Sequence, residues 1–200
     1  MSVYIATSLD GFIARPDGGI DWLPQHGGWD EQEQQAGATP QQQEDYGYRK
    51  FMDSVDAILM GRNSYEKVLS FGIEWPYPKP TFVLSTTLTN DDVPAELKGK
   101  VTMFKSPEAL LQHASGDAKC QHLYVDGGST VQNFLKQRLI DQIIITRIPV
   151  LIGKGIPLFG PLGDGDHNDA AHDVNLVHVS TQSWPNGMVQ STYRVPDSGK

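Results

Sequence analysis

Val55-Asp56-Ala57-Ile58-Leu59-Met60-Gly61-Arg62-Asn63-Ser64-Tyr65-Glu66-Lys67-Val68-Leu69 carries three signals in a row. Val55–Met60 is a short apolar run that suits a buried strand. Gly61 breaks it, and Asn63–Leu69 continues as a helix. Strand, tight turn and helix in succession form the repeating unit of a parallel α/β sheet. The unit recurs downstream. Thr81–Ser85 and Val101–Phe104 read as strands, and Ser106-Pro107-Glu108 opens a helix. There the serine caps, the proline takes the first turn and the acid favours the positive helix end. His122–Val125 is a strand that turns through Asp126-Gly127-Gly128-Ser129 into a helix ending near Arg138. Asp141–Val150 is a long apolar strand. Val174–Gln182 and Met188–Val195 are strands joined by Trp184-Pro185-Asn186-Gly187, where Asn-Gly marks a hairpin.

Upstream, Ser2–Ser8 is a strand, Leu9-Asp10-Gly11 a turn and Phe12–Ala14 a brief extended segment. A helix is expected from Glu44 to Met52. Between them, about 24–44, lies a polar loop with seven glutamines. It reads as a solvated insertion or as a lid over a substrate. The pattern predicts one domain over 1–200: a three-layer α/β sandwich whose mostly parallel central sheet ends in an antiparallel C-terminal hairpin.

Composition limits the partners. The 200 residues, 38% of them hydrophobic, suffice for one full core. A net charge of −8 argues against nucleic acid or an anionic membrane surface, both of which need concentrated positive charge. It leaves room for a small phosphorylated ligand. The single cysteine, Cys120, excludes an internal disulfide and a cysteine-based zinc site, and it fits a reducing cytoplasm. A leader peptide and a membrane span are not expected, and the histidines show no metal-binding spacing. Asp164, Asp166 and Asn168 imitate the start of a calcium loop, but Asp169 and Asn175 stand where glycine and glutamate are needed.

Parallel sheets bind ligands beyond the carboxyl ends of their strands. Three such ends share one character: Gly61-Arg62-Asn63-Ser64, Ser85-Thr86-Thr87 and Gly127-Gly128-Ser129-Thr130. Glycine lets a phosphate approach the backbone, the free amides of a helix start favour an anion, and Arg62 can grip a phosphate with two donors. One such turn is ordinary punctuation. Three point to a ligand with several phosphates, such as a dinucleotide. The GxGxxG fingerprint and the P-loop pattern are both absent.

Met60-Gly61-Arg62-Asn63-Ser64-Tyr65-Glu66 resembles the MGRxTxE segment of the dihydrofolate reductase superfamily. Asp126-Gly127-Gly128 resembles its second glycine motif, and Ile5–Ala14 its first strand and loop. Leu139-Ile140-Asp141, Pro149, Gly153, Gly155 and Phe159 are similar to the branch containing the reductase domain of riboflavin biosynthesis. The zinc-ligand motif of that branch's partner deaminase does not occur here, so the chain resembles a stand-alone reductase domain.

The resemblance implies an NADPH-dependent reductase that passes hydride to a C=N or C=O group of a small heterocyclic or sugar-linked substrate. It places Ala6 and Ile13 near the nicotinamide, and Gly61, Arg62, Asn63 and Ser64 at the cofactor phosphates. Ser85 and Thr86 fall near the adenosine 2′-phosphate, and Gly127, Gly128, Ser129 and Thr130 at the pyrophosphate. Asp45 matches a helix-borne catalytic carboxylate that binds the substrate ring; its alternative is an early-turn acid that stabilises its helix. Trp22 matches a residue beside the substrate or an anchor for its loop. Arg49, one turn after Asp45, pairs with it or meets a substrate anion. A homodimer is also implied, with the apolar 143–151 strand either at the two-fold interface or inside the sheet. Two alternatives are a genuine dihydrofolate reductase and a nucleotide-binding module without turnover.

Overall fold

The computed structural model describes residues 1–23, 45–116, 120–160 and 173–196. The 24–44 loop and the calcium-like stretch at 164–169 lie outside them. The described residues form ten strands. They are β1 (Ser2–Ser8), β2 (Phe12–Ala14), β3 (Ala57–Gly61), β4 (Thr81–Leu84), β5 (Val101–Phe104), β6 (Leu123–Asp126), β7 (Gln142–Ile148), β8 (Ile156–Pro157), β9 (Val177–Ser183) and β10 (Val189–Arg194). Among the described residues four α-helices accompany them: α1 (Tyr48–Ser54), α2 (Arg62–Ser70), α3 (Pro107–Gly116) and α4 (Gly128–Lys136).

Eight strands form one sheet in the order β5-β4-β3-β6-β1-β7-β10-β9. The run from β5 to β7 is parallel throughout. β10 pairs antiparallel with β7 and with β9. A separate ribbon pairs β2 with β8. This is the mostly parallel sandwich with an antiparallel hairpin that the strand and helix signals predict.

Alternation along the strands separates two cores. Ala57, Leu59, Phe82, Leu123, Val125, Ile143 and Ile145 face one side and pack on Leu110 and Ala114 of α3 and on Val131, Phe134 and Leu135 of α4. Ile58, Met60, Val83, Met103 and Tyr124 face the other side and meet Phe51 and Met52 of α1 and Tyr65 of α2. The period of two in a strand thus feeds two helical layers from one sheet. Strand β7 lies between β1 and β10, so the 143–151 segment is internal to the sheet over 143–148 and forms no sheet edge there. Among the described residues no helix is long and apolar enough to cross a membrane.

The segment after the polar loop is fixed from several directions. Tyr46 has a positive φ of 53°. Its carbonyl accepts hydrogen bonds from the Tyr4 hydroxyl at 2.7 Å and from Gln190 Nε2 at 3.1 Å. Its hydroxyl accepts from Asn186 Nδ2 at 2.9 Å, and its ring meets Trp184 edge-on at 4.9 Å. The C-terminal hairpin therefore holds the entry to α1. That helix starts at Tyr48 rather than Glu44, because Gly47 ahead of it takes a left-handed φ of 86°.

Candidate functional site

Strands β4, β3, β6 and β1 are consecutive neighbours in the sheet, so their carboxyl ends stand side by side. The turns at Ser85, Gly61, Asp126 and Ser8 therefore share one edge. Two of them touch. A Cβ on Gly61 would lie 2.9 Å from Thr130 Oγ1, and a Cβ on Gly127 would fall on Ser64 Oγ. Each glycine thus makes room for a hydroxyl from the opposite turn. Gly127 also has φ 87° and ψ 133°, a backbone state that side chains disfavour.

Helices α2 and α4 start at these turns, with Gly61 and Gly127 as their N-caps. Neither cap supplies a side-chain hydrogen bond to the first amides. Two sets of unsatisfied N–H groups with aligned helix dipoles suit an anion. A group with several phosphates fits this pair of turns. Gly61, Asn63, Ser64, Gly127, Gly128, Ser129 and Thr130 are brought together here, with Thr130 buried and Asn63 and Ser129 exposed.

Arg62 projects toward the neighbouring turn. Its Nη1 donates to Thr87 Oγ1 at 3.1 Å, and its Nε lies 3.7 Å from Glu66. The Ser85 hydroxyl accepts from the amides of Thr87 and Leu88, at 3.3 and 2.8 Å, and so shapes the turn. Lys105, at the end of β5, donates to the carbonyls of Thr86 and Leu88 at 3.3 and 2.7 Å. Two cations thus converge on the Ser85–Leu88 turn. Sequence reasoning missed Lys105, although it directly precedes the Ser106-Pro107 helix start.

On the other flank, Ile13 of β2 reaches α4. A Cβ on Gly128 would lie 2.8 Å from Ile13 Cδ1 and 3.2 Å from the Pro157 carbonyl, so the β2–β8 ribbon covers the helix start. Asp10 braces this ribbon. Its carboxylate accepts from Ser8 Oγ at 2.6 Å and from the amides of Ile152 and Gly153 at 3.3 and 2.8 Å. The Ser8 hydroxyl, with the two amides, holds the Asp10 carboxyl below the usual carboxylate range despite a smaller opposing effect of desolvation. Ala6 lies in a third apolar cluster with Trp22, Tyr46, Ile148, Met188 and Trp184. Trp22 is 4% exposed, and its indole N–H makes no hydrogen bond among the described residues.

Asp45 and Arg49 stand at the start of α1, beside Tyr46. The Asp45 oxygens accept from the amides of Gly47 at 2.9 Å and Arg49 at 3.1 Å, which is the geometry of a helix cap. The Arg49 guanidinium lies 3.9 Å from Asp45 and is 85% exposed. The half-buried carboxylate at the sheet edge is Asp126, which sequence reasoning read only as the first letter of a glycine motif. The Tyr124 hydroxyl lies 2.9 Å from the Tyr4 carbonyl and 3.3 Å from Asp126 Oδ1. Burial pushes the Asp126 carboxyl up, against smaller opposing effects of the Gly127 amide and the Tyr124 hydroxyl. Burial, then the Asp126 charge, pushes the Tyr48 phenol up to about 12 and raises Tyr77 and Tyr124 as well. The result is a protonatable carboxyl among neutral phenols.

Residues 2–190 match the RibD C-terminal domain. The chain belongs to the RibD C-terminal domain family. It is 35% identical over 161 residues to YwjB of Bacillus subtilis (strain 168), covering 80% of this chain and 82% of that one. A Shewanella sp. PV-4 protein named for riboflavin biosynthesis is 36% identical, superposes with a TM-score of 0.79, and is covered to 98% in both directions. The Thermotoga maritima diaminohydroxyphosphoribosylaminopyrimidine deaminase/5-amino-6-(5-phosphoribosylamino)uracil reductase shares the fold, with a TM-score of 0.66 at 14% identity. The match covers 98% of this chain and 56% of that one. This RibD C-terminal domain is thus a reductase-type domain of dihydrofolate reductase-like fold.

Proposed function

We propose that this protein is a stand-alone NADPH-dependent reductase acting on a C=N or C=O group of a small heterocyclic or sugar-linked substrate. One observation carries the reading: two uncapped helix starts interlock beside a half-buried carboxyl on the same sheet edge. When bound, NADPH would supply hydride. Gly61–Ser64 and Gly127–Thr130 would hold its phosphates through amides and hydroxyls. Arg62 and Lys105, which meet at the Ser85–Leu88 turn, would favour the extra 2′-phosphate over a bare ribose. Ala6 and Ile13 would flank the nicotinamide, and Trp22 would close the apolar side.

The substrate side is argued from Asp126. A carboxyl raised by burial keeps its proton to a higher pH than a free one and can give it to a ring nitrogen or a carbonyl oxygen. Tyr48, Tyr77 and Tyr124 remain neutral, so they orient a ring without adding charge. Asp45, which the resemblance offers as the catalytic carboxylate of a genuine dihydrofolate reductase, spends its oxygens on two amides of its own helix. Asp126 takes that role in this reading.

The test is a thermal-shift titration with NADPH against NADH, followed by NADPH oxidation across pyrimidine, pterin, flavin-precursor and carbonyl panels. A Tm rise with NADPH of several degrees, and a smaller one with NADH, is expected. No rise with either sinks the cofactor assignment. A rise without oxidation on any panel leaves a nucleotide-binding module.

A further inference from the structure

We propose that Asn186 is a site of self-modification: its side chain closes on the next backbone nitrogen, sheds ammonia and leaves an aspartate or isoaspartate in the C-terminal hairpin. The modification requires neither cofactor nor turnover. Asn186-Gly187 lies in the turn between β9 and β10, and Gly187 takes the positive φ, 83°, that such turns favour. The dipeptide also sets a side-chain amide beside a main-chain nitrogen that no Cβ shields. The other five asparagines are followed by Ser64, Asp91, Phe134, Asp169 and Leu176, whose side chains crowd that nitrogen. Asn186 is half-buried and Gly187 exposed, so water reaches the turn.

Water is the sole co-reactant. The Gly187 nitrogen bonds to Cγ of Asn186, and the Cγ–Nδ2 bond breaks. The proton of the Gly187 N–H ends on the departing nitrogen, which leaves as ammonia. The product is a cyclic imide. Water then adds to one of its two carbonyls. Opening on one side gives aspartate; opening on the other gives isoaspartate, whose main chain runs through Cγ. Nothing is oxidised or reduced in either step.

Three hydrogen bonds hold the native turn back from this reaction. The Gly187 N–H donates to the Trp184 carbonyl at 2.9 Å, which engages the attacking nitrogen. Asn186 Oδ1 accepts from the Met188 amide at 3.2 Å. Asn186 Nδ2 donates to the Tyr46 hydroxyl at 2.9 Å. Of the three, the last alone comes from outside the hairpin, from a residue 140 positions away. Tyr46 is therefore the brake, and the reaction runs through local openings in which its contact is broken. The same contact carries the consequence. Isoaspartate lengthens the main chain inside the turn and displaces Trp184, whose N–H donates to the Met188 carbonyl at 3.0 Å and whose ring meets Tyr46. The modified chain keeps the bonds to the Tyr46 carbonyl and loses those to its side chain, which loosens the entry to α1.

The experiment is peptide mass spectrometry on the full chain aged at mildly alkaline pH, folded and in denaturing urea, with Tyr46→Phe beside wild type. In the folded wild type, deamidation should appear at Asn186 before any other asparagine. It should run about fivefold faster in folded Tyr46→Phe, the effect of losing one hydrogen bond, and at the same rate as wild type in urea. Aged wild type should also exchange the amides of Phe51 and Met52 faster than fresh protein. Deamidation first at another asparagine, or equal rates in the two folded chains, would overturn the proposal. An Asn186 that stays intact in folded wild type would overturn it as well. If Tyr46→Phe fails to fold, wild type decides alone, since Asn186 must then react more slowly folded than in urea.

Discussion

Burial raises the Asp126 carboxyl, so the folded chain holds its proton more tightly than the unfolded chain does. The contribution is fully present below the unfolded value of 3.8 and is lost as pH rises through the folded one. Asp126→Asn keeps the shape and removes the titration. We expect its Tm to exceed wild type at neutral pH by about 2–4 °C, the shift that ~1 kcal/mol gives at this chain size. Its Tm should also fall less as pH rises, while NADPH oxidation drops at least tenfold. A Tm profile that tracks wild type would show that the carboxyl is not protonated in the folded state. Gly127 gives a second test at this scale. Gly127→Ala forces a side chain onto φ 87° and into Ser64 Oγ, which costs about 1–3 kcal/mol in strain alone. Calorimetry should show the loss in Tm, and NADPH affinity should fall by tenfold or more. The glycines were legible because a turn between strand and helix demands them. Asp126 was not. Its environment is assembled from Tyr4, Tyr48, Tyr77 and Tyr124, which come from four separate segments, and no local spacing reports that. Asp45 stood out instead because it sits at a familiar distance from the glycine motif along the chain.

Elements with strong local signals appear where they were expected. Val101–Phe104 is a strand residue for residue, and the Ser106-Pro107 start opens α3. The two-residue strand β8 escaped notice because Ile156 and Pro157 carry no periodic pattern and pair only with distant β2. Whether β7 lay inside the sheet or at an interface was likewise unreadable, since its neighbours β1 and β10 are set by long-range pairing. The β2–β8 ribbon depends on Asp10, whose lowered carboxyl stabilises the fold above the unfolded value and loses that contribution as pH falls through the folded one. Asp10→Ala should speed amide exchange over residues 150–157 and weaken NADPH binding severalfold, with the main sheet unaffected. Hydrogen exchange followed by mass spectrometry reads this directly. Unchanged protection in that stretch would mean that backbone pairing of Leu9 with Val150 and Leu158 with Gly11 suffices to hold the ribbon.

At the scale of the whole molecule, the sheet is stitched from both ends of the chain. Strand β1 lies between β6 and β7, and its partner Gln142 is 140 residues from Ser2. The antiparallel hairpin closes beyond β7 and also fixes Tyr46. A chain ending at Ile140 would keep β3 to β6 yet leave β1 with one neighbour and the core around Leu135 open to water. We expect no cooperative calorimetric transition from it; a sharp one would show that the first four parallel pairings fold alone. The order of the strands also bears on how the protein is made. At about 5–20 residues per second, a ribosome needs roughly 6–24 s after releasing Ser2–Ser8 before β6, the earlier of its two partner strands, is synthesised. Through that interval the chain displays an apolar strand with both edges free. Ser2–Ser8 therefore waits for β6 and β7 before it is held in the sheet.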